Sequence, residues 1–217
     1  MSTITQRESD QREATVKTET QRHRPYRISV AKYEAMVASG AFTKADRFEL
    51  IEGILVEKMT KNPPHSVVTG LCLDALDQAL PPGWHTRLEQ PVRIPSRDSE
   101  PEPDVTVARG KRADYLDRHP GPADVALVVE VADSTLADDR AMAATYGGGG
   151  IPVYWIVNVP GRTLEVYAHP EPGARTGGAD PAPKILGETE SVDLFIEGRV
   201  VGRLAVASLL PRAEGST

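Results

Sequence analysis

Two acids, Asp104 and Glu130, stand where this sequence could do chemistry. Asp104 opens the short β-rich run "DVTVARG" directly after "EPEP". Glu130 stands near the end of "VALVVEV", behind five apolar residues. If the two runs are neighbouring strands of one sheet, both carboxylates come to one edge. Paired carboxylates are hard ligands suited to Mg²⁺ or Mn²⁺. A cation so held polarises a phosphoryl oxygen and lowers the pKa of a bound water. Either acid alone also reads as a solvated strand end. Glu130 is harder to explain that way, since a charge behind an apolar run must be paired, metal-bound or at a cleft.

The elements that must position these acids are legible from period and punctuation. "RISVAKYEAMVASGAF" reads as a helix with Ser29 at its N-cap and Gly40 past its end. "RFELIEGILVEKM" reads as two strands around a tight Glu52-Gly53 turn. In "NPPHSVVTGLCLDALDQALPPG" prolines sit at the start, apolar residues recur at helical spacing, and Pro81-Pro82-Gly83 stops the helix. "WHTRLEQPVRIP" alternates as strands do, "SRDSEPEP" is an acidic loop, and "KRADYLDRHPGPAD" is a short helical turn and loop. "VALVVEV" is apolar on both faces, the pattern of a central strand covered on both sides. A helix over 137–146 follows, with Ser134 and Thr135 as its caps. "PVYWIVNV" then gives a buried strand with Tyr154 and Trp155 in the core, and "GRTLEVYAH" another strand. Terminal strands with a Glu197-Gly198 turn and a last short helix complete an α/β fold around a mixed β-sheet flanked by helices.

These elements make one domain over 26–210. A polar, disordered tail (1–25) precedes it, a flexible Gly/Ala/Pro loop (170–183) interrupts it, and a short tail (211–217) follows. The chain of 217 residues carries a net charge of −6 and a pI near 5.4. That balance argues against a protein whose main task is to coat nucleic acid, because such affinity comes from Lys and Arg neutralising phosphates. It leaves open an enzyme with an acidic site. No apolar stretch reaches the ~18 residues of a membrane span. The first residues lack the apolar centre of a signal peptide, so a cytoplasmic location is expected. Cys72, among apolar neighbours, reads as a core residue. The five histidines are scattered and form no zinc-ligand pair.

In order along residues 26–168, "RFELIEGILVEK", "PPHS" before a helix, "EPEPDVTVARG", "ALVVEVADSTLADDR" and "GIPVYWIVN" resemble the motifs of the Uma-two-type restriction endonucleases. That family is a bacterial branch of the PD-(D/E)xK nuclease superfamily. The resemblance implies a restriction-endonuclease-like core and Mg²⁺-dependent hydrolysis of DNA phosphodiesters. Pro103-Asp104 would be the "PD", Glu130 the second acid, and both would be metal ligands. Glu49, in the hairpin, and His65, at the start of the next helix, also match family positions. Glu49 reads either as a third carboxylate of the site or as an exposed strand residue. His65 reads either as a site residue or as a helix cap or packing residue. Glu52 is a turn residue.

The resemblance breaks at the lysine. Two residues after Glu130 stands Ala132. The family's displaced position, on the following helix four residues before Tyr146, holds Met142, and the Asp139-Arg140 flank is retained. Lys58, at the end of the hairpin strand, and Arg140 are the candidate substitutes, and the spacing places neither at the acids. The run Gly147 to Gly150 lacks the Lys-Ser/Thr ending of a phosphate loop. It reads as a weakened helix end, each glycine costing ~1 kcal/mol of helix relative to alanine. Two readings therefore stand: a metal-dependent endonuclease, by analogy a homodimer, or a non-catalytic nuclease-fold module that binds DNA or a protein partner. Another metal-assisted hydrolysis on the same fold is a third, broader possibility.

Overall fold

In the computed structural model, residues 25–43, 45–168 and 182–212 are described. The expected N-terminal tail, almost all of the 170–183 loop and most of the C-terminal tail lie outside them. The Ser29 hydroxyl accepts the Lys32 N–H at 3.3 Å and starts helix α1 (Val30–Ala38), whose buried Val30 and Tyr33 pack under Leu50. Gly40, at φ 73°, turns the chain out of α1. Strands β1 (Phe48–Ile51) and β2 (Ile54–Glu57) pair antiparallel through a turn with φ 49° at Glu52 and 76° at Gly53. Both residues of such a primed turn need positive φ, and glycine meets that need without strain. Helix α2 (Pro63–Ala79) starts where the Asn62 side chain accepts the His65 N–H at 3.0 Å. Its Val68, Cys72 and Leu76 lie one turn apart on the buried face.

Strands β3 (Trp84–Leu88), β4 (Val105–Arg109), β5 (Val125–Ala132), β6 (Val153–Asn158), β7 (Thr163–Ala168) and β8 (Lys184–Gly187) form one sheet in that order. Only β5 and β6 run parallel, joined by helix α3 (Leu136–Gly149); the other neighbours are antiparallel. One face packs on α2 and on the hairpin of β9 (Ser191–Ile196) and β10 (Arg199–Ala205), burying Val68, Leu76, Leu127, Trp155 and Leu194. The other face packs on α3 through Val128, Tyr146, Tyr154 and Ile156. The expected mixed sheet flanked by helices is the observed architecture. Among the described residues, no helix is long and apolar enough to cross a membrane.

Three expectations are corrected. The alternation in "QPVRIP" makes no strand: Val92 and Ile94 are buried, but the segment has only an isolated bridge to Ser99 and ends in a 3₁₀ turn at Pro95–Arg97. Alternation marks burial of one side; a strand also needs a ladder partner. Thr135 occupies the N-cap position of α3 without a side-chain cap bond, and its hydroxyl donates instead to Asp139 Oδ2 at 2.6 Å. The glycine run is not a decayed end, since α3 continues through Gly149 and closes at Gly150 with φ 91°. A Cβ on Gly149 would lie 2.3 Å from Ile94 Cγ2, and one on Gly148 would lie 3.3 Å from Arg97 Nη1. Glycine lets the helix sit against the 3₁₀ turn, and that contact outweighs its low helix propensity.

Candidate active site

The ladder between β4 and β5 sets Val105 against Val129, so Asp104 and Glu130 meet at the next step. The Asp104 N–H donates to Glu130 Oε2 at 3.1 Å, and the Val131 N–H donates to Asp104 Oδ2 at 2.7 Å. Strand alternation turns Glu130 to the side of Val128 and Ala132, toward α3. There the Tyr146 hydroxyl donates to Glu130 Oε1 at 2.8 Å. The two acids expected to share one edge are brought together.

Their surroundings differ. Asp104 Oδ1 lies 2.6 Å from Lys61 Nζ, and Oδ2 lies 3.1 Å from His65 Nε2. Burial pushes the Asp104 carboxyl up, but the His65 hydrogen bond and the Lys61 ammonium outweigh it and hold the group below the usual range. None of the ion pairs among the described residues reaches Glu130. Burial, then the charges of Asp104 and Asp139, push its carboxyl well above the usual range. Asp139, on α3, is itself pushed up to about 6, chiefly by burial.

These groups line an open cleft of about 970 Å³ between the hairpin β1–β2, the start of α2 and the start of α3. Glu49 lines it too and is half-buried, so its alternative as an exposed strand residue does not hold. Its Oε2 accepts the Glu102 N–H at 3.0 Å, and burial raises its carboxyl. His65 does two things: its N–H takes the Asn62 cap, and its ring faces Asp104. Glu52 is more than a turn residue. Its Oε1 accepts from Arg97 at 2.7 Å and from Thr145 at 2.9 Å, which ties the hairpin turn to α3. Met142 lines the cleft and packs on the apolar cluster around Tyr146.

Neither substitute lysine position is supported by the geometry. Lys58 is paired with Glu102, and Arg140 with Glu165 at 2.5 and 3.0 Å. The cation beside the acids is Lys61, which also lies 2.9 Å from Glu89 Oε1. Burial lowers its pKa, but Asp104 and Glu89 outweigh that and hold it above the ordinary lysine value. Lys61, Tyr146 and Asp139 are the residues that sequence reasoning missed. Asp139 and Tyr146 had a signal in the motif flank around Met142. Lys61 had only its place before the Asn62 cap.

A family model described as "Uma2: Putative restriction endonuclease" matches residues 30–196. The chain belongs to the Uma2 family. It is similar in structure to a protein described as "a putative nuclease belonging to DUF820 from Anabaena variabilis ATCC 29413", with TM-score 0.60 and 14% identity. That match covers 84% of this chain and 97% of the other, and at such identity it bears on the fold alone. No curated protein matches the chain. The Uma2 match spans both walls of the cleft, from α1 to β9.

Proposed function

We propose that this Uma2-family chain is a metal-dependent endonuclease that hydrolyses DNA phosphodiester bonds, with Asp104 and Glu130 as the ligands of Mg²⁺ or Mn²⁺. The observation that carries this reading is the unmatched charge of Glu130. It is half-buried beside two other carboxylates, and among the described residues only a tyrosine hydroxyl and a backbone N–H donate to it. Burying a carboxylate in such company costs free energy, which a divalent cation would offset. The cleft as a whole supports the same reading, because its lining carboxylates outnumber its Lys and Arg side chains. A polyanionic substrate enters such a cleft only when cations neutralise it.

The donor set fits the ion. Among the described residues, no three His, Cys, Asp or Glu side chains stand close enough to enclose a metal by themselves. Two carboxylates with water completing the shell suit Mg²⁺, which dehydrates reluctantly and keeps several waters. When bound, the cation supplies polarisation of a phosphoryl oxygen and a more acidic water. The chain's own residues prepare this. Lys61, His65 and the Val131 N–H hold Asp104 ionised; Tyr146 and the Asp104 N–H fix the direction of Glu130. Glu49 would serve as a third carboxylate on the cleft wall. In the reaction a water oxygen bonds to phosphorus and one P–O ester bond breaks. The water's proton passes to solvent and the leaving oxygen takes one from solvent, giving a phosphate monoester and a hydroxyl. A homodimer would present two such sites to the two strands.

Met142, at the family's lysine position, is the observation behind the second reading, a module that binds DNA or a protein partner without cutting. Plasmid nicking separates the two. Purified protein with Mg²⁺ or Mn²⁺ is expected to nick supercoiled DNA, and Glu130→Gln to lose that activity by on the order of 10³ (several kcal/mol of transition-state stabilisation). Plasmid bound but left intact by both proteins would rule out the endonuclease and favour the module.

A further inference from the structure

We infer that Lys61, on the loop before α2, is the catalytic lysine of this cleft and donates a hydrogen bond to a phosphoryl oxygen of the scissile phosphodiester. This rests on the endonuclease reading and goes beyond it by naming the residue that stabilises the transition state. Charge grows on the phosphoryl oxygens as water attacks, and a fixed positive donor aimed there lowers the barrier. The cleft has few side chains able to do this. Of the other Lys and Arg side chains that line it, Lys58 is engaged by Glu102 and Arg47 is exposed at the rim. Lys61 lines the cleft with its ammonium 2.6 Å from Asp104 Oδ1. A phosphate held next to Asp104 therefore comes within reach of the same ammonium.

The loop that carries Lys61 is anchored at the next residue. Asn62 caps α2 with its side-chain oxygen on the His65 N–H, while its Nδ2 donates to Asp133 Oδ2 at 2.5 Å. One side chain thus joins the start of α2 to the residue after β5, and Lys61 is held between the two elements that carry His65 and Glu130. Preorganisation of this kind lets a donor act without reordering during the reaction. Lys61 moves no proton in this role. It offers three donors on a flexible stem and exchanges a carboxylate partner for a phosphoryl oxygen.

The full chain is the material for the test. Single-turnover nicking of supercoiled plasmid in Mn²⁺, calorimetric titration of Mn²⁺ alone, and thermal melting are compared for the parent, Lys61→Met, Lys61→Arg and Lys61→Met with Met142→Lys. Lys61→Met is expected to nick about 10²–10³-fold more slowly, with the melting temperature and Mn²⁺ binding kept, since His65 and the Val131 N–H still hold Asp104. Lys61→Arg keeps part of the rate. Adding Met142→Lys to Lys61→Met, which puts an ammonium on the opposite wall of the cleft, returns at least about tenfold of it. Nicking by Lys61→Met within about threefold of the parent overturns the inference. So does a lost rate accompanied by weaker Mn²⁺ binding, which would mean that Lys61 only holds Asp104 in place. If Glu130→Gln abolishes nicking and Lys61→Met does not, the endonuclease stands and this inference alone falls. A parent that never nicks removes both.

Discussion

The two ends of β4 carry opposite charge and treat it in opposite ways. At the Arg109 end, Arg109 pairs with Glu197 and lies 4.9 Å over the Trp84 ring. Arg118 takes Asp124 in a fork at 2.6 and 3.0 Å and lies 5.1 Å from the Tyr115 ring. Arg112 donates to the Thr86 carbonyl at 3.2 Å. Each of these three cations has its partner within the fold. At the Asp104 end, Glu130 and Glu49 both feel the charge of Asp104, Asp139 lies beside Glu130, all three carboxyls are pushed up, and among the described residues Lys61 pairs only with Asp104 and Glu89. The three cations of the Arg109 end are matched internally, and Arg87 beside them lies over the Tyr115 ring. The Asp104 end leaves charge unmatched toward an open cleft, which marks it as the end built to take something from outside.

The sharpest way to break this contrast is at the hydroxyl that serves Glu130. Tyr146→Phe removes the only side-chain hydrogen bond to that carboxylate among the described residues, at little cost in packing volume. Partners that orient a metal-site carboxylate typically contribute 10–100-fold, so nicking is expected to slow by about that factor. Unchanged kinetics would mean that Glu130 needs no orientation.

A smaller effect is expected from pH, read by thermal melting without divalent cations. Glu100, buried in the segment leading to Asp104, is pushed up to about 7 by burial first and the charge of Glu34 next. Its folded pKa lies above its unfolded one, so the native state holds more protons over that range. The stability this provides is present near pH 4.5 and is lost as pH rises through about 7. Asp139 and Glu130 act in the same direction. The melting temperature should therefore fall over that window, and Glu100→Gln should flatten the fall. A melting temperature that climbs across the window would contradict the crowding of acids at this end.

The smallest effect belongs to the matched end. Arg118→Ala removes an exposed fork to Asp124, and exposed ion pairs contribute little. The melting temperature should move by no more than about two degrees, with nicking unchanged. A large loss of either would show that the basic end does more than hold an edge.

The acid pair was legible because strand period and an apolar run are strong local signals: "VALVVEV" could only be a covered strand, and an acid inside it needed a reason. The fold followed from the same periodicities, from the Ser29 cap and from the prolines that open and close α2. What the sequence did not disclose depends on contacts between distant segments. Lys61 reaches Asp104 through a loop conformation that has no period. Arg140 points to Glu165 because β7 lies beside β6 there. The glycines of α3 lower helix propensity when read in isolation, yet they face Ile94 and Arg97, whose 3₁₀ turn no pattern announced. The strand misread at "QPVRIP" has the same cause: burial was visible, and the missing ladder partner was not.

The bulge in the β4–β5 ladder falls between Val107 and Ala108, beyond the Val105–Val129 pair and away from the acids. Irregularity is thereby absorbed at the end of β4 where no chemistry is expected. A one-residue slip at the other end would turn Glu130 from α3 toward the apolar face under α2. That misregistered chain would bury a bare carboxylate among Leu127, Val129 and Trp155, and the fold would not tolerate it. Correct strand pairing and correct placement of Glu130 are therefore one event in folding, so a chain that reaches a stable sheet has already passed an internal check on its acid pair.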